Sequence, residues 1–237
     1  MTNDAVLVTG VGRRLGHHVA TQLLERGVEI VGTFRQEREA LDTLRALGAS
    51  LYQVDFCDDA SIGVFLDAVP KHHRSLRAVI HNASDWGMES PSQGDTALLR
   101  QMMDVHVSAP YRMNFALRPL LEACGEGIAD IIHVGDFVSS RGSAKHVAYA
   151  ASKAAQDNLT LSFAAMFAPK IKVNSIAPAL ISFRPDDSAN YRQAAVQKNL
   201  LGHEGGHDEF MNAVDYLLAS RYITGRTLPL DGGRHLR

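Results

Sequence analysis

Short apolar runs alternating with longer amphipathic stretches predict an α/β fold, a parallel sheet with helices on both faces. Two further observations support it. The apolar runs are hydrophobic on both faces, so each must be covered on both sides. No shift of composition marks a linker along the 237 residues, and the reading is a single domain over 1–237.

The elements follow in order. Val6-Leu7-Val8 is a buried strand, 15–26 a helix and 28–34 the next strand. Residues 41–47 are helical, and Gly48 stops that helix as a C-terminal glycine does. A strand over 51–54, a helix over 61–69 and the strand Ala78-Val79-Ile80 come next. A long helix is expected from Asp95 to about Glu122, bent or ended by Pro110 and Pro119. Ile131-Ile132-His133-Val134 is a strand, 148–167 a helix and 171–174 a strand. Right-handed crossovers between such strands give a doubly wound, Rossmann-type layer with its ligand crevice at the strands' carboxyl ends. The polar stretch 181–206, with Pro185 and Gly205-Gly206, interrupts this rhythm. It is either a substrate-binding lid or a mobile surface loop with a helix in it.

Apolar residues at 46% and charged residues at 21% are the balance of an ordinary globule and argue against disorder. Twenty-four basic against 26 acidic residues leave a formal charge of −2, without the basic excess that a nucleic-acid or anionic-membrane partner demands. Cys57 and Cys124 read as free thiols in buried apolar positions of a cytoplasmic protein. The first apolar run is cut short by Arg13 and Arg14, unlike a signal peptide, and nothing approaches the ~18 apolar residues of a membrane span.

Strand one runs into Thr9-Gly10-Val11-Gly12-Arg13-Arg14-Leu15-Gly16 and then a helix. A glycine turn there lets the backbone approach a pyrophosphate, whose charge the helix N-terminus favours. The end of strand two reads Thr33-Phe34-Arg35, without the acid that an NAD site sets against the ribose hydroxyl. Arg13, Arg14 and Arg35 therefore point to the 2′-phosphate of NADPH, unless they are solvated surface arginines. Tyr149 and Lys153 lie four apart on a helix and reach one small volume, where the ammonium is expected to lower the phenol's pKa.

With these residues in this order, the whole chain resembles the short-chain dehydrogenase/reductase family. The resemblance rests on the glycine turn, Asp55 after strand three, Asn82-Ala83 after strand four, Tyr149 to Lys153, and Asn174-Ser175-Ile176-Ala177-Pro178. It implies that Gly10, Arg13, Arg14, Leu15 and Gly16 hold the cofactor's phosphates, with Thr33 and Arg35 beside them. Asp55 and Phe56 flank the adenine, Asn82 and Ala83 line the cofactor, and Lys153 binds the nicotinamide ribose. Pro178, Leu180 and Ile181 face the carboxamide. A homo-oligomer, usually a tetramer, is the family's habit.

Three positions depart from the family. Arg14 replaces its middle glycine, Asp136 stands in place of its catalytic serine, and His106 replaces its catalytic asparagine. The Arg-Leu-Gly turn and the aspartate resemble the pteridine reductases within the family. The implied reaction is NADPH-dependent reduction of a 7,8-dihydropterin, monapterin-type substrates first and dihydrofolate more slowly. A ketone or quinone reductase and a catalytically retired dinucleotide-binding regulator are the alternatives.

The aspartate suits such a substrate. A dihydropterin offers an N5=C6 imine and a nitrogen-rich edge, from which a carboxyl group can accept hydrogen bonds or to which it can pass a proton. Tyr149, Lys153 and Asp136 are thus the catalytic candidates, with Tyr149, Asp136 or a water as proton donor. Asp136 could instead be only a loop or helix cap. Ser84 and Trp86 are the substrate-side candidates. Trp86, the chain's one tryptophan, either stacks the pterin or packs under a neighbouring loop. His203-Glu204-Gly205-Gly206-His207 spells a zinc-protease pattern, but two glycines disfavour the helix that pattern needs, so no metal is expected. His17-His18 and His72-His73 read as solvated helix positions.

Overall fold

The computed structural model describes residues 4–89 and 96–237. Its strands are β1 Ala5–Thr9, β2 Ile30–Phe34, β3 Ser50–Gln53, β4 Leu76–His81, β5 Ala129–Val134, β6 Ile171–Pro178 and β7 Thr227–Leu230. They form a parallel seven-stranded sheet in the order β3-β2-β1-β4-β5-β6-β7. The helices are α1 Arg14–Glu25, α2 Ala40–Ala46, α3 Asp59–His72, α4 Thr96–Met103, α5 Ala109–Glu122, α6 Val147–Phe167, α7 Ala189–Val196 and α8 His207–Ala219.

Successive residues of a strand point to opposite faces, and here both faces are covered. Leu7, Val79, Ile131 and Val173 pack with Phe65, Met113, Leu117 and Phe163 under α3, α5 and α6. Val6, Val8, Ile80 and Ile132 pack with Val19, Leu23, Leu41, Phe210 and Val214 under α1, α2 and α8. The chain leaves β1 first toward β2 and later toward β4, so a crevice opens above their carboxyl ends.

The expected long central helix is two helices joined by a π-turn over Asp104–Ser108. Its expected start at Asp95 lies outside the described residues. Pro110 has no N–H to give His106 C=O, and the widened turn instead carries the Ala109 N–H to Asp104 O. Pro119 sits inside α5 without ending it.

The sequence reading leaves α8 and β7 unassigned. Phe210, Val214 and Leu217 of α8 do recur at helical spacing. β7 gives a weak signal, because it is a half-exposed edge strand holding Pro229.

Cys57 is exposed and only Cys124 is buried, because Cys57 falls in the turn between β3 and α3, outside both apolar clusters. Nor are the paired histidines simply solvated. His72 is exposed, but His73 lies beyond the end of α3, buried, with Nδ1 2.9 Å from Glu29 Oε1. His17 Nε2 is 2.9 Å from Ala40 O, and the His18 ring lies 5.4 Å from that of His207. Among the described residues no helix is long and apolar enough to cross a membrane.

Candidate active site

The carboxyl ends of the central strands open into a cleft of 1210 Å³. Pockets that bury a single drug-sized ligand run roughly 300–1,000 Å³, so this cleft is larger than that range. At its floor β1 and β4 are stitched together. Thr9 Oγ1 accepts from Asn82 N and Ala83 N at 2.9 Å each, and Asn82 Nδ2 donates to Thr9 O at 2.8 Å. Gly10 has φ +74°, and a Cβ on it would stand 2.9 Å from Ala83 Cα. A Cβ on Gly16 would stand 2.4 Å from Gly10 O. Only glycine lets the turn lie this close to the sheet.

Arg14 takes φ +52°, a left-handed conformation at the position of the family's glycine. Arg13 loses proton affinity first through burial and then through Arg38, Arg14 and Arg184, a positive surplus that an anion would relieve. Arg35 lines the same cleft, but its guanidinium is paired with Asp85 Oδ2 at 2.8 Å. Thr33, Asp55 and Phe56 line this end as well.

At the other end α6 presents Tyr149 and Lys153 on one face. Lys153 is buried, with Nζ 2.7 Å from Val134 O and 3.2 Å from Gln156 Oε1, and burial brings its pKa down to about 8. Tyr149 Oη donates to Asp136 Oδ2 at 2.8 Å. Burial, then the charge of Asp136 and this hydrogen bond, push the phenol's pKa up, not down as the spacing with Lys153 suggests. The reason is geometric: Lys153 is committed to β5 and its own helix, 5.8 Å from the Tyr149 ring centroid. Asp136 Oδ1 also accepts from Val138 N at 2.8 Å, capping the short turn Phe137–Ser140. It is a cap and the partner of Tyr149 at once.

Trp86 is 49% exposed at the cleft, bordered by the His146 ring at 5.1 Å and by the Arg184 guanidinium 5.2 Å from its own ring. Ser84, Pro178, Leu180 and Ile181 complete the expected set, so the structure brings every candidate site residue to this one cleft. The His203 to His207 stretch instead closes the loop after β6. Gly205 N and Gly206 N donate to Leu180 O and Ile181 O, and His207 only begins α8. Among the described residues no three His, Cys, Asp or Glu side chains group to hold a metal.

Sequence reasoning misses Arg38, Asp85, His146, Arg184 and Tyr191, which also line the cleft. Asp85 sits between two foreseen residues and was findable. Arg184 and Tyr191 arrive on the 181–206 stretch, which no spacing ties to the site.

Comparison with known proteins bears on the family. A family model described as Enoyl-(Acyl carrier protein) reductase matches residues 10–235. Dihydromonapterin reductase of Klebsiella pneumoniae subsp. pneumoniae is 47% identical over 232 residues, 98% of this chain and 97% of that protein. Among solved structures, FolM Alternative dihydrofolate reductase 1 from Brucella canis, complexed with NADP, superposes with TM-score 0.86 and 27% identity over 99% of this chain and 95% of that one. The RhlG/NADP complex of Pseudomonas aeruginosa shares the fold, with TM-score 0.89 and 24% identity over 99% of this chain and 97% of that one. The chain belongs to the short-chain dehydrogenase/reductase family.

Proposed function

We propose that this chain is an NADPH-dependent oxidoreductase that reduces 7,8-dihydromonapterin to its tetrahydro form and acts more weakly on dihydrofolate. The observation that carries the reading is Asp136. It stands where the family's carbonyl reductases hold a serine, takes the Tyr149 hydroxyl at 2.8 Å, and shares its cleft with an open indole. The relatives named above are called dihydromonapterin reductase and alternative dihydrofolate reductase.

The residues fit the cofactor. Close approach at Gly10 and Gly16 makes room for a pyrophosphate before α1, and the crowded arginines call for an anion. In this reading Gly10, Leu15 and Gly16 hold the pyrophosphate, and Arg13, Arg14 and Arg35 with Thr33 hold the 2′-phosphate. Asp55 and Phe56 flank the adenine, Asn82, Ala83 and Lys153 the nicotinamide ribose, and Pro178, Leu180 and Ile181 the carboxamide. NADPH, when bound, supplies the hydride that the pterin takes at C6. Trp86 covers the pterin face, Ser84 and Asp136 accept from its N–H groups, and Tyr149 gives N5 its proton. Lys153, an ammonium at neutral pH, donates to the ribose hydroxyls and fixes the nicotinamide end beside Tyr149.

The stretch 181–206 acts in this scheme as a lid, since Ser182 to Asp187 and Tyr191 line the cleft. Exposed Tyr111, Phe115, Leu161 and Met166 on α5 and α6 favour self-association, for which a homotetramer is the family's habit, and two unpaired cysteines suit the reducing cytoplasm.

Asp136→Ser tests the reading. It should lower kcat/KM for 7,8-dihydromonapterin by about tenfold or more while sparing a generic diketone. A parallel fall with both substrates would leave Asp136 a structural cap and remove the main physical support for a pterin.

A further inference from the structure

Resting on the N–H-rich substrate just proposed, we infer that His106 is a positioning residue: it holds the Ser84 hydroxyl as a hydrogen-bond acceptor toward the substrate and so selects an N–H edge over a carbonyl oxygen. His106 is fully buried in the π-turn between α4 and α5. Its Nδ1 lies 2.8 Å from Ser152 Oγ, and its Nε2 lies 2.9 Å from Ser84 Oγ and 3.4 Å from Asp85 N. Ser152 commits its one proton to Tyr149 O at 2.8 Å, so toward His106 it can only accept. The Asp85 N–H can only donate, so Nε2 is the bare nitrogen. Both ends of the ring therefore dictate one neutral tautomer, protonated at Nδ1. Ser84 has two other acceptors in reach, Asp85 O at 3.4 Å and the Tyr149 hydroxyl oxygen, and we assign its proton to the bare Nε2 at 2.9 Å.

The consequence is chemical. Ser84 Oγ turns only lone pairs toward the cleft that it shares with Asp136, Tyr149 and Trp86. Burial and the nearby Lys153 bring the imidazole down to about 2, which keeps it neutral at any working pH. An asparagine amide here could present either end and let Ser84 donate or accept. The imidazole removes that choice. A substrate N–H meets an acceptor, whereas a carbonyl oxygen meets lone pairs.

The tautomer is readable on the unaltered protein by nitrogen NMR of isotope-labelled histidine. Nδ1 should be protonated and Nε2 bare across about pH 5 to 9. A protonated Nε2 would overturn the inference without any variant having to fold. Kinetics then test the coupling. Ser84→Ala and His106→Leu should each raise KM for 7,8-dihydromonapterin about tenfold, with kcat within about threefold of wild type. The double variant should be no worse than the worse single one, because both remove the same contact. His106→Gln, whose amide oxygen can take the Ser84 proton, should keep KM within about threefold of wild type. Additive losses of about a hundredfold, or a fall in kcat at unchanged KM, would overturn the role of His106 while the wild type still turned over the dihydropterin. A wild type that does not reduce dihydropterins would overturn the substrate reading and, with it, the selection ascribed to Ser84.

Discussion

Tyr149 directs its hydroxyl proton at Asp136, and its raised pKa keeps that proton in place. Tyr149→Phe keeps the ring and removes the proton. It should lower kcat by roughly 10²-fold with NADPH binding intact, as measured by turnover and cofactor titration. A near-native kcat would shift proton delivery to Asp136 or a water. If Lys153 acts as proposed, it should set the alkaline limb of the activity. With its pKa brought to about 8, the ammonium is lost above that point, so kcat/KM should fall as pH rises through about 8. A profile flat to about pH 10 would contradict this assignment. Stability runs the opposite way. Between about 8 and the ordinary 10.5 the unfolded chain binds more protons, so this group's contribution to stability rises with pH across that window. Both residues were legible in the sequence as a spacing on one helix. The direction of the phenol's shift was not, because it depends on Asp136, which reaches Tyr149 from a separate turn after β5.

The turn before α1 combines features that pull against each other. Gly10 and Gly16 let the backbone lie against β4, while Arg14 holds a left-handed conformation that costs about 1 kcal/mol in a non-glycine residue. Arg14→Gly should therefore leave thermal stability unchanged or slightly raised. It should also narrow the preference for NADPH over NADH, which is expected to be at least about tenfold in wild-type kcat/KM. Lower stability in that variant, with the preference unchanged, would mean that the side chain serves packing and not the phosphate. Strands buried on both faces were legible from apolar runs alone, and so were the helices between them. The break at the π-turn was not read, because a proline inside a helical pattern announces a disturbance without saying how the backbone absorbs it. The Arg35–Asp85 pair was hidden too, since it joins the loops after β2 and β4 through the fold alone.

The molecule gathers residues from the ends of β1, β2, β3, β4, β5 and β6 and from α6 into one cleft at the sheet's switch point. Arg13, Arg14 and Arg38 crowd the end nearest α1, Asp136 stands with Tyr149 at the other, and Arg184 bridges toward Trp86, 5.2 Å from its ring. That division of labour is the physical content of the functional reading. The most direct test is kcat/KM of the purified wild-type protein with NADPH, for 7,8-dihydromonapterin against a generic diketone. The account predicts that the dihydropterin is the better substrate by about tenfold or more. Equal efficiency, or a preference for the diketone, would contradict it.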